Sequence, residues 1–255
     1  MGARTVAGAR LGNLGAGVHQ KPLRAVSHQD AARDVVDVVI DEANFAVAAL
    51  AKGRENVERD PHRPAVLLVH GYLCNRAVWR PLLASRALAH CNVATVNLQP
   101  VFAPIDAYAD AIASAVQRLR AASGAARVVL IGHSMGGIAI RAYLRKHGDE
   151  HVARAITIGS PHAGTVLGRL GHGVNARQMA RGGAYMAALQ AALTAAPRAK
   201  FVCLASRDDN MIIPRASALI PGTRHVVFDR VGHLAMVEDA RVWRALAELV
   251  ETAAA

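Results

Sequence analysis

The feature that most constrains the fold is a rhythm. From Pro64 onward, short apolar runs alternate with stretches whose apolar residues recur at helical spacing. The runs are AVLLVHG (Ala65 to Gly71), VATVNL (Val93 to Leu98), RVVLIGH (Arg127 to His133), ARAITIGS (Ala153 to Ser160), KFVCLAS (Lys200 to Ser206) and RHVVFDR (Arg224 to Arg230). Each is short, and most are apolar over the greater part of their length, which suits strands buried on both faces. Between them, helices are predicted over Ala77–His90, Asp106–Ala122 with Asp106 as N-cap, Met135–His147, Tyr185–Thr194 and Val237–Thr252. Strands alternating with helices predict βαβ units, hence an α/β fold with a mainly parallel central sheet flanked by helices.

Two stretches break the rhythm. Pro161 to Gly183 is long, Gly-rich and without a clear period, the expected position of an insertion acting as a substrate-access lid. Residues 1–60 read as an N-terminal extension ahead of a catalytic domain at 61–255. Residues 1–30 lack periodicity and are expected to be poorly ordered. Ala31 to Lys52 places Val35, Val36, Val39, Ile40, Phe45 and Leu50 at helical spacing, and Gly53 to Pro64 reads as a linker.

Composition narrows the function by exclusion. Lys and Arg number 30 against 19 Asp and Glu, a net charge of +11. The arginines are dispersed, and with aromatics at 4% there is no stacking platform, so a nucleic-acid partner is not expected. Three cysteines (Cys74, Cys91, Cys203) make no disulfide framework, and neither CxxC nor HExxH occurs, so no metal or cofactor is expected. The N-terminus lacks an apolar signal region and no stretch reaches transmembrane length, making the cytoplasm the expected compartment.

Gly132-His133-Ser134-Met135-Gly136 fits G-x-S-x-G, with an apolar strand before it and a helical segment after it. A sharp strand-to-helix turn needs small neighbours and projects the serine hydroxyl at the carboxyl edge of the sheet, beside a helix N-terminus. A serine needs a base to become nucleophilic, and in this chain order an acid and then a histidine follow. His225 lies within an apolar run and reads as structural, whereas His233 follows that run in the loop Val231-Gly232-His233-Leu234. Asp149 and Glu150 fall at the wrong end of the sheet, and Asp229 is almost adjacent to His233. Position therefore leaves Asp208 and Asp209 as candidate acids without separating them. Backbone N–H donors for an oxyanion are expected from Met135, after the nucleophile, and from Tyr72, after His70-Gly71. His70 itself reads as a structural brace.

Together HGY (His70 to Tyr72), GHSMGG (Gly132 to Gly137), GSPHAGT (Gly159 to Thr165), DDNMIIP (Asp208 to Pro214) and GHL (Gly232 to Leu234) resemble bacterial lipases and esterases of the α/β-hydrolase superfamily. Asn175 to Leu189 also resembles a segment those proteins carry. The resemblance implies the α/β-hydrolase fold, a Ser-His-Asp triad, and Asp209 rather than Asp208 as its acid, because related sequences read D-N-x-V-x-P. It further implies hydrolysis of carboxylic esters through an acyl-enzyme; the apolar insertion around Pro161 to Leu189 favours hydrophobic acyl chains, a small-molecule ester or lipid as partner, and transient contact with a lipid surface. Thioesterase, lactonase, amidase and acyltransferase chemistry would use the same triad. A non-catalytic binding protein on this scaffold would be expected to have lost a triad residue.

Overall fold

The computed structural model describes residues 57–254. The extension over 1–30 and the helix expected over Ala31–Lys52 lie outside the described residues, as does the start of the expected linker. Six strands form one parallel sheet: β1 (Ala65–Val69), β2 (Asn92–Val96), β3 (Val128–His133), β4 (Val152–Ile158), β5 (Phe201–Ser206) and β6 (Arg224–Phe228), in the order β2-β1-β3-β4-β5-β6. Strand alternation divides the side chains between two cores. Leu67, Val69, Leu130, Ala155 and Cys203 pack beneath α2 (Ile105–Ser123) and α3 (Met135–His147). Val66, Leu68, Ile131, Ile156 and Leu204 pack on the other face against Trp79, Leu82 and helix α7 (Ala240–Ala254).

Three helical predictions shift. Ala77–His90 is not one helix: a 3₁₀ turn at Arg76–Trp79 leads into α1 (Arg80–Ala84) and stops there. The Ser85 hydroxyl donates to the Leu82 carbonyl (2.6 Å) and accepts from the Ala87 amide (3.2 Å), so a serine supplies the backbone with partners that end the helix. Asp106 is not the N-cap of α2; Pro104 occupies that position and Asp106 lies in the first turn. The Gln178 side-chain carbonyl accepts the Ile105 N–H at 2.7 Å, a cap delivered from a segment remote in sequence. The closing helix begins at Ala240, after a separate 3₁₀ turn at Ala235–Val237.

The segment Pro161–Gly183 is ordered around short elements: a 3₁₀ turn at Val166–Arg169, α4 (Gly173–Gln178) and a bridge from Thr165 to Ala180. Helices α5 (Ala184–Ala192) and α6 (Ala195–Ala199) then return the chain to β5. The segment hangs from side-chain bonds. Asn175, fully buried, donates to the Val101 carbonyl (2.7 Å), and the Tyr72 hydroxyl donates to the His172 carbonyl (2.7 Å). It thereby covers the carboxyl edge of the sheet. Cys74, Cys91 and Cys203 are free thiols. Among the described residues no helix is long and apolar enough to cross a membrane.

Candidate active site

Ser134 sits in the one-residue turn between β3 and α3, at φ 54° and ψ −122°. This left-handed backbone is strained for a residue with a Cβ, and the surroundings enforce it. Its N–H is held by the Ile158 carbonyl of β4 (2.8 Å). A Cβ on Gly136 would lie 2.3 Å from the Val69 carbonyl oxygen, and one on Gly137 would lie 2.1 Å from Ser160 Oγ. Glycine at both positions is therefore a contact requirement: α3 starts so close to β1 and β4 that no side chain fits. The outcome is a half-buried serine side chain above the sheet edge, with the Met135 amide at the first position of α3, where helix geometry leaves an N–H without an intrahelical acceptor.

The acid and the histidine come from the loops after β5 and β6. Asp209, 1% exposed, accepts a hydrogen bond from His233 Nδ1 at 2.9 Å through Oδ2. Its Oδ1 accepts the amides of Met211 and Ile212, each at 2.9 Å. Burial pushes the Asp209 carboxyl upward, but the His233 charge and the hydrogen bonds from His233, Ile212 and Met211 outweigh it and hold it below the usual carboxylate range. Asp208 points elsewhere, accepting the Arg230 amide at 2.5 Å. The two neighbouring carboxylates thus have separate partners, and only Asp209 touches His233.

Ser134 and His233 line one cavity of about 150 Å³. Its other walls are largely apolar, among them Leu73, Leu167, Met179 and Ile212. Tyr72 lines the same cavity. The turn before Tyr72 is pressed against the serine, since a Cβ on Gly71 would come 3.0 Å from Ser134 Cβ. His70 fixes this turn: its Nδ1–H donates to the Gly71 carbonyl (2.9 Å) and its Nε2 accepts the Leu98 amide (2.9 Å). Burial lowers its pKa to about 4, so the ring is neutral and structural. His225 is likewise occupied, with Nε2 on the Ile220 carbonyl (2.8 Å).

Three residues around the site were not singled out by sequence reasoning. His133, fully buried, donates from Nε2 to the His233 carbonyl (3.3 Å), and its ring lies 4.9 Å from that of His233. Burial, then the neighbouring His233 charge, lowers its pKa to about 3. Gly159, at φ +55°, presses its backbone onto the acid–histidine bond, where a Cβ would be 3.1 Å from Asp209 Oδ2. Thr165 bonds the loop that carries Asp209. Gly159 and Thr165 begin and end the GSPHAGT segment, so the signal was present but pointed to no role. Among the described residues no group of His, Cys, Asp and Glu is arranged to hold a metal ion.

An α/β-hydrolase fold family model matches residues 64–170. No curated protein matches. Solved structures similar to the chain include the mature form of a Bacillus licheniformis lipase, with a TM-score of 0.65 at 18% identity over 76% of this chain and 94% of that one. Aspergillus fumigatus lipase B gives a TM-score of 0.65 at 16% identity over 74% of this chain and 52% of that one. An esterase from a Rhodococcus species gives 0.53 at 20% identity, over 77% and 93%. At such identities the shared property is the backbone architecture, and it agrees with the sheet order and the strand–serine–helix turn described above. The chain is an α/β-hydrolase-fold protein.

Proposed function

We propose that this protein hydrolyses carboxylic esters through an acyl-enzyme formed on Ser134. The observation that carries the proposal is the buried Asp209–His233 hydrogen bond beside a serine held in a strained turn, both opening on one apolar cavity. Ser134 Oγ attacks the ester carbonyl while His233 Nε2 takes its proton. Asp209 stabilises the resulting imidazolium and keeps Nδ1–H directed at its carboxylate. The amides of Met135 and Tyr72 bind the oxyanion, and His233 returns the proton to the departing alcohol. Water, activated by the same imidazole, then releases the acid.

The cavity argues for a compact acyl or aryl group. About 150 Å³ of apolar space is the size that accommodates a benzene ring. Contact with a lipid surface has its own support. Val166, Leu170 and Val174, with Leu170 82% exposed, lie in the same segment that supplies cavity-lining Leu167, Gly168, Gly171 and Ala176, as do the exposed Arg169, Arg177 and Arg181. No Asp or Glu occurs from 151 to 207. An apolar, cationic rim suits an anionic interface.

A fluorophosphonate probe should label the wild type and not Ser134→Ala. Equal labelling of both would sink the mechanism. In a p-nitrophenyl ester series, kcat/KM should peak at short chains, and a rise through the longest chains would overturn the size argument.

A further inference from the structure

Thr165 belongs to the segment that walls the cavity, yet its hydroxyl is spent on the loop carrying the acid. It is buried, lines the cavity, donates to the Met211 carbonyl (2.8 Å) and accepts the Ile213 amide (3.1 Å). Those residues bracket the turn whose Met211 and Ile212 amides hold Asp209 Oδ1. A hydroxyl can serve one acceptor and up to two donors, so a single side chain clamps both edges of this turn. The backbone reinforces the link, with the Val166 amide donating to the Ile213 carbonyl (3.0 Å). On its other side Thr165 is stitched into the insertion, its amide donating to the Met179 carbonyl (2.8 Å) and its carbonyl accepting from the Arg181 amide (3.1 Å). A further anchor of the acid turn is Arg215, whose Nε donates to the Asp209 carbonyl (2.8 Å).

We infer that Thr165 is a positioning residue for Asp209, tying the placement of the acid to the placement of the cavity wall. The inference rests on the ester-hydrolase reading above. The physical reason is that a carboxylate orients an imidazole only if its own turn is held, and here the side-chain clamp on Met211 and Ile213 comes from the insertion. A small displacement of a supporting group is enough to cost one to two orders of magnitude in rate.

The test compares Thr165→Val, which keeps the shape and deletes the hydroxyl, with Thr165→Ser, which keeps the hydroxyl. T165V is expected to lose about 10–100-fold in kcat with KM within about twofold, while T165S retains most of the wild-type kcat. The groups facing His233 are Asp209 and the neutral His133 ring, so a misplaced Asp209 stabilises the imidazolium less. The acid limb of kcat/KM should therefore move to lower pH in T165V and stay in place in T165S. In an Asp209→Asn background, T165V should cost almost nothing further, because its effect runs through the carboxylate. Active sites are counted by fluorophosphonate, and Thr165→Ala makes the same deletion should T165V not fold. Equal losses in T165V and T165S, an unmoved acid limb, or additive losses with D209N would overturn the assignment alone. A wild type inert toward both esters and the probe would overturn the ester-hydrolase reading itself.

Discussion

The turn at Ser134 and the insertion at 161–183 meet across one cavity, but they are held in different ways. At the serine turn the backbone does the holding: α3 abuts β1 and β4 at distances that exclude a Cβ, and the Ser134 amide is bonded to β4. The insertion covers the edge largely through individual side chains, among them Asn175, Tyr72, Gln178 and Thr165, with backbone bonds from Ala163 and Val166 to the loop after β5, and it leaves Leu170 standing in solvent. On the proposed reading, a reacting centre that must stay within a fraction of an ångström is built where neighbouring strands and a helix leave no freedom. A wall that sets which groups enter is built from contacts that can change one at a time.

The largest expected effect probes the rigid side. Asp209→Asn should lower kcat by roughly 10³–10⁴-fold, whereas Asp208→Asn should stay within a few-fold, since the Asp208 carboxylate accepts the Arg230 amide, away from His233. Comparable losses in steady-state assays of the two variants would erase the distinction between the carboxylates.

Acid should act next, and mostly on the same side. His70 and His133 are held neutral by burial at pKa values of about 4 and about 3, and His162 lies well below its usual range for the same reason. The unfolded chain binds these protons near pH 6.5 and the folded chain does not. Their contribution to stability is therefore full above pH 6.5 and is lost as pH falls toward 4, each group approaching about 1.4 kcal/mol per pH unit. Denaturant titrations at stepped pH should show that decline, and a flat profile from pH 6.5 to 4 would contradict neutral burial. Asp209 adds a loss at lower pH still, because its folded pKa is depressed.

The same substitution in the two regions gives a sharper contrast. Gly136→Ala should cost roughly 3 kcal/mol or more, because its Cβ meets the Val69 carbonyl and backbone cannot retreat as a side chain would. Gly182→Ala, at φ +72° with nothing within 4 Å, should cost only about 1 kcal/mol of backbone strain. Chemical denaturation of the pair decides, and equal costs would remove the argument from contact. The smallest effect is expected at the rim. Leu170→Ser should change stability by no more than about 0.5 kcal/mol and leave turnover of soluble esters intact, while weakening binding to anionic vesicles measured by co-sedimentation.

Strands β1 to β5 were legible because burial on both faces makes a strand apolar at most positions, and a local pattern survives without knowledge of neighbours; β6, whose side chains are half-buried or exposed, was read from the short run 226–228. All six appear within a few residues of their expected bounds. The helix after β1 was misread because Ser85 ends it through a local hydrogen bond that apolar spacing does not register. Asp106 was misread because the cap of α2 arrives from Gln178, far along the chain.

What the sequence determined by itself was the periodicity, the serine between strand and helix, and the pair of adjacent carboxylates. These are properties of short windows, where steric and hydrophobic requirements act between near neighbours. Which carboxylate meets the imidazole, the glycine pressed against their bond, the histidine ring beside that imidazole and the threonine clamping the acid's turn were settled by tertiary structure. Each depends on groups dozens of residues apart arriving at one sheet edge, and a hydrogen bond of 2.9 Å is decided by that arrival.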